Sequence, residues 1–212
     1  MQKTELYHIH TQNDKDQIWK PNKTIVVTKK FDSVMNQRHQ NFSQMMYFSD
    51  GENPSLTNYS YYVADYFNRI KDAKIVKREE LDELKRLLEI GYQMSYNADF
   101  FKREAALESC RVDNYSSLPS RLHSIYLCDK DGLEYWEDTI SKNHKEKVEI
   151  FEVEVNGNVF KTNEQLLPRE VGTYEEAYED SHSYWHPRFI DTPNFTNEYL
   201  AQGEIKVLNK VK

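Results

Sequence analysis

The sequence predicts an α+β fold. Short β-branched or alternating apolar segments open the chain and recur towards its C-terminus. A long helical stretch lies between them. The strands do not alternate regularly with helices, and no internal repeat is visible, so a doubly wound parallel sheet is not indicated. At 212 residues, 38% of them hydrophobic, the chain suits one domain over residues 1–212 with a helical insertion at about 60–112.

Glu5–His10 reads as the first strand, with Leu6, His8 and His10 on one face and Tyr7 and Ile9 on the other. Thr24–Thr28 is β-branched and predicts a second strand. Phe31–Tyr47 reads as a helix or a helical turn with a loop, and Ser49–Thr57 as a loop. Val63, Tyr66, Phe67 and Ile70 have helical spacing.

Lys77–Cys110 carries the strongest helical signal. Leu81, Leu84, Leu87, Leu88, Ile90 and Tyr92 form a stripe, and charge pairs at i,i+4 support it. A bend near Gly91 or Asn97-Ala98-Asp99 is expected to split it into two helices. Leu122–Cys128 reads as a strand and Asp131–Ser141 as a helix. Val148–Val155 reads as a strand whose alternation slips once, with a bulge expected near Ile150-Phe151. Asn156-Gly157 then signals a hairpin. Tyr174–Trp185 predicts an acidic helix and Gly203–Leu208 a last strand.

Composition narrows the function. Net charge is -7, and the excess is uneven: residues 116–212 hold 11 Lys/Arg against 18 Asp/Glu. A broad duplex-binding surface is therefore not expected, although a local basic groove fits. No apolar run reaches the roughly 18 residues of a membrane helix. The start, MQKTELYHIHTQNDKD, has no apolar export segment, and Cys110 and Cys128 lack metal-type spacing; both features predict a cytoplasmic protein. Dinucleotide-binding and phosphate-binding glycine motifs, zinc-protease motifs and the nucleophile elbow are all missing.

Three distant segments place polar groups on strands: Leu6-Tyr7-His8-Ile9-His10, Ser120-Arg121-Leu122-His123-Ser124-Ile125-Tyr126, and Gln202-Gly203-Glu204-Ile205. Together they resemble the ADP-ribosyltransferase superfamily in its His–Tyr–Glu form. The Tyr-His-Ile-His opening is similar to that of toxins that modify nucleic-acid bases. Over about residues 5–209, segments such as Ser-Arg-Leu-His-Ser-Ile-Tyr-Leu and Gly-Glu-Ile-Lys-Val-Leu resemble an uncharacterised bacterial family suspected of sharing that fold.

The resemblance implies a split β-sheet with NAD, as substrate, in a cleft between its halves. Glu204 is then the carboxylate that stabilises the oxocarbenium-like sugar. His8, or His10 in a shifted registration, holds the adenosine-side ribose. Tyr126 stacks on nicotinamide, Ser124 bonds a ribose or the carboxamide, and Arg121 meets a phosphate or the target. Gln202, two before Glu204, is the candidate for choosing the acceptor. The setting implied is a toxin or anti-phage effector acting on nucleic acid, with a neutralising antitoxin. A protein-targeting transferase, an NAD glycohydrolase and a non-catalytic interaction module are the alternatives.

Each residue also has an ordinary structural reading. Tyr126 suits a core, Glu204 a solvated strand, and Arg121 an ion pair. His182 and His186, four apart, have helical metal-ligand spacing, but Pro187 follows and no acidic motif accompanies them, so no metal is expected.

Overall fold

The computed structural model describes residues 5–11, 18–33, 35–37, 55–73, 75–144, 147–188 and 192–212. Two expectations, the Phe31–Tyr47 helix and the Ser49–Thr57 loop, lie mostly outside these residues; of the former, 31–33 are described and irregular, and 35–37 are described and helical. The architecture is α+β.

Alternating and β-branched segments give β1 (Leu6–Thr11), β2 (Thr24–Val27), β3 (Ile125–Leu127), β4 (Val148–Asn163) and β5 (Asn197–Lys210). Helices α1 (Leu56–Ile70) and α2 (Arg78–Asn114) stand between β2 and β3. Helices α3 (Leu133–His144) and α4 (Tyr174–Trp185) flank β4. The described strands form one antiparallel sheet in the order β1-β4-β5-β2, with β3 also on β5.

The long β4–β5 ladder is the backbone of the sheet. One edge of β5 serves two partners in turn. Tyr199–Ala201 pair with β3, and Gly203–Lys206 pair with β2. Gln202 therefore stands at a parting, where pairing passes from one strand to the other. Across it, His123 Nδ1 donates to the Phe31 carbonyl at 2.9 Å, and Ser33 Oγ bonds the Leu122 carbonyl. β1 lies on the far edge of β4, and its Tyr7 also exchanges backbone hydrogen bonds with Cys128, the residue just past β3, at 2.8 and 2.9 Å.

The period of two sorts the side chains onto two faces. Leu6, Ile25, Val27, Ile125, Leu127, Phe151, Val153, Tyr199, Ala201, Ile205 and Val207 form one core with Trp19. On the other face, Tyr7, Ile9, Val148 and Ile150 pack under α3. Leu200, Tyr126 and Phe160 pack with Leu107 and Cys110 of α2 and with Tyr184 and Trp185 of α4.

Four expectations change. Helix α2 does not break at Gly91: it runs unbroken for 37 residues. A Cβ at Gly91 would meet the Tyr59 phenol 2.2 Å away, so this glycine lets α1 approach α2 rather than ending the helix. Asn156-Gly157 is not a turn, because β4 runs straight through it. Gly157 lies opposite Gly203, and a Cβ on either would collide with the other strand's backbone, at 2.1 and 2.5 Å. The glycines permit a close crossing of two long strands. The slip at Ile150-Phe151 reflects burial on both faces; the register shift comes at Glu152/Val153. Finally, Leu122–Cys128 is a strand only over Ile125–Leu127, following a 3-10 turn at Arg121–His123.

Candidate functional site

His8 is fixed from two sides. Its ring stacks on Trp19, with centroids 3.8 Å apart and planes 16° from parallel. Its Nδ1 lies 3.1 Å from the Tyr126 carbonyl oxygen. A carbonyl only accepts, so Nδ1 carries the proton and Nε2 keeps its lone pair. Burial, which outweighs the favourable carbonyl contact and is reinforced by His10, lowers the His8 pKa to about 3. The imidazole is thus neutral at ordinary pH. His10 follows on the same face, its ring 5.9 Å from both His8 and Trp19.

The His8 ring meets Tyr126 at its backbone carbonyl, not at its ring. His8 pairs with Phe151 and shares the Trp19 face. Tyr126 pairs with Leu200 and faces the helices. Its phenol donates to the Arg121 carbonyl at 3.0 Å, and the Arg121 guanidinium lies 5.3 Å from its ring centre. Burial raises the Tyr126 pKa despite the adjacent cation.

Arg121 is enclosed, at 3% exposure, in a charged cluster. Its Nε donates to Glu104 at 2.9 Å, and its Nη1 to Glu198 at 2.7 Å and to the Tyr184 hydroxyl. Arg103 adds a bond to Glu104 and reaches Glu170 at 2.8 Å. Glu104 and Glu198 hold the guanidinium protonated even though desolvation opposes its charge. Arg121 therefore joins α2, α4 and β5 instead of standing open to a phosphate. The sequence reading passed over Glu104, Glu198 and Trp19; Tyr184 reads from sequence as core, and it is fully buried. A signal existed for the acids: Glu104 falls on the stripe of Phe100, Phe101 and Leu107, and Glu198 shares the strand phase of Leu200.

Ser124 is 1% exposed, and its hydroxyl has no hydrogen-bond partner among the described residues. Gln202, at the parting, donates from Nε2 to the His123 carbonyl at 3.2 Å. Glu204 is exposed, beside Val26 of β2, and accepts from Asn156 Nδ2 at 3.2 Å. Its side chain lies on the helical face of the sheet. The fold thus brings Ser124, Tyr126, Gln202 and Glu204 onto one face around the parting, and leaves His8 and His10 on the other.

His182 and His186 sit at the C-terminal end of α4. His182 Nδ1 lies 3.0 Å from the Tyr115 hydroxyl, and the His186 N–H closes the last turn of α4 on the His182 carbonyl. Among the described residues no three His, Cys, Asp or Glu side chains cluster as metal ligands, and no helix is long and apolar enough to cross a membrane.

No curated protein matches the chain. A family model does match, over residues 6–212, which takes in all five described strands and both sides of the parting. The chain therefore belongs to the family described as protein of unknown function (DUF2441).

Proposed function

We propose that this protein is an NAD-dependent ADP-ribosyltransferase. The observation that carries the reading is the junction of β1 with β3, next to the parting of β3 from β2. There the neutral His8, donating to the Tyr126 carbonyl, keeps Nε2 as an acceptor suited to a ribose hydroxyl. Glu204 lies three residues past Ala201, where β3 leaves the β5 edge. In the reaction the nicotinamide–ribose bond breaks and nicotinamide leaves with the bonding pair. The sugar carbon then bonds the acceptor, which loses a proton. Glu204 stabilises the positive sugar and takes that proton.

The geometry sets one requirement. His8 and Glu204 project from opposite faces, so a nucleotide that meets both must cross the sheet edge at Gln202. The His123–Phe31 and Ser33–Leu122 bonds must part to admit it. Tyr126 contributes backbone there, not a stacking ring. The acceptor is a nucleic-acid base by resemblance, or a protein side chain, which the acidic C-terminal part suits better. A toxin or anti-phage setting with a protein antitoxin accompanies this reading.

Incubating the protein with cell extract and NAD labelled in its adenylate half tests it. Label on RNA, DNA or protein is the expected result; free ADP-ribose alone identifies a glycohydrolase. Absence of NAD binding supports a second reading, a non-catalytic interaction module. The division of His8 from Glu204 favours that module, as does an exposed stripe of Leu81, Leu88, Tyr92 and Tyr96 on α2.

A further inference from the structure

β3 and β2 follow one another along one side of β5, and their outer sides differ. The outer side of β3 is spent. The Tyr126 carbonyl meets His8 Nδ1 at 3.1 Å, and Cys128, just past β3, exchanges backbone hydrogen bonds with Tyr7. No described strand covers the outer side of β2. The Val207 N–H donates to the Lys23 carbonyl at 2.8 Å, so at Lys23 the carbonyl faces β5. By alternation Ile25 and Val27 also bond β5, and Thr24 and Val26 turn their N–H and C=O groups outward. No described residue answers those four groups. The side chains beside them are open as well: Thr24 is exposed, and Val26 is 62% exposed.

Donors and acceptors in alternation, beside exposed β-branched side chains, match an extended polypeptide. A phosphate backbone only accepts, and would leave the Thr24 and Val26 carbonyls unanswered. Charge then selects which polypeptide. Lys20–Lys30 holds four lysines and no acid, in a chain of net charge -7. Lys23, Lys29 and Lys30 flank β2, are exposed, and have no ion pair among the described residues. Inboard on β5, Lys206 stands beside Thr24 and Glu204 beside Val26, so that row adds no net charge. Two copies joined antiparallel through β2 would set Lys23 near Lys29, so the lysines oppose self-pairing. An acidic strand meets them at both ends of β2. We propose that the outer edge of β2 takes up an extended acidic segment of a partner protein as an added strand. The inference does not rest on NAD chemistry and stands whether or not ADP-ribose is transferred.

The test follows the backbone amide NMR signals of Thr24 and Val26 in the full chain without NAD. The probe is a blocked Glu-Glu-Val-Thr-Val-Glu-Glu peptide. The controls are its counterpart with Lys for every Glu, its counterpart with Pro for Thr, and oligothymidylate. The acidic peptide is expected to shift both amides and slow their hydrogen exchange, with both control peptides about tenfold weaker. Val26→Pro removes an outward donor and spares the bonds to β5. Lys29→Glu combined with Lys30→Glu reverses the charge and spares the backbone. Each change is expected to weaken binding of the acidic peptide about tenfold. No shift at the highest soluble peptide concentration, equal binding of either control peptide, tighter binding of oligothymidylate, or undiminished binding by the lysine double variant would overturn the proposal. So would a dimer of the chain that protects Thr24 and Val26 before any peptide is added.

Discussion

At His8, burial decides the protonation of a single ring, outweighing the Tyr126 carbonyl contact that favours the charged form. Its folded pKa of about 3 lies below the ordinary imidazole value of 6.5. Between these values the unfolded chain binds the extra proton, so stability rises with pH across that window and is lost as pH falls through it. Urea midpoints measured from pH 7 to pH 4 should fall less steeply for His8→Gln than for the parent. Equal slopes would mean that His8 titrates normally in the folded protein. Arg121 poses the opposite problem, since Glu104 and Glu198 depend on it. Arg121→Met should lower unfolding free energy by about 3–5 kcal/mol, read by chemical denaturation, because two buried carboxylates lose their cation. Sequence found His8 and Arg121 as polar residues on or next to strands. It could not reveal that one is neutral and the other enclosed, because Trp19, Glu104 and Glu198 come from distant parts of the chain.

The elements themselves were legible wherever one periodicity ruled. The acidic helix α4 begins and ends where its sequence suggests, with Thr173 and Glu176 capping each other. Glycines misled, because sequence shows a missing side chain without showing what fills the space. At Gly91 it is a tyrosine from α1, and at Gly157 it is the backbone of β5. Gly203 adds a positive φ of 125° to the same crossing. Gly203→Ala should therefore cost about 2 kcal/mol or more, with hydrogen exchange accelerated along β4 and β5. A substitution at the neighbouring exposed Lys206, such as Lys206→Gln, should stay within about 0.5 kcal/mol of the parent. Similar losses for the two would show that the glycine crossing carries no strain.

Across the whole molecule, one strand edge organises the candidate site. β5 carries β3 and then β2, and the residues between and beside them, Gln202 and Glu204, were singled out through the resemblance and stand at i,i+2 spacing. That spacing predicted their shared face; it did not predict that β1 would turn His8 to the other one. Release of nicotinamide from NAD tests the catalytic claim most directly, measured for the parent chain and for Glu204→Gln at matched thermal stability. The account predicts turnover by the parent in the presence of cell extract and a loss of about 10²–10³-fold in the variant. No nicotinamide release by the parent, or equal release by both, would contradict it.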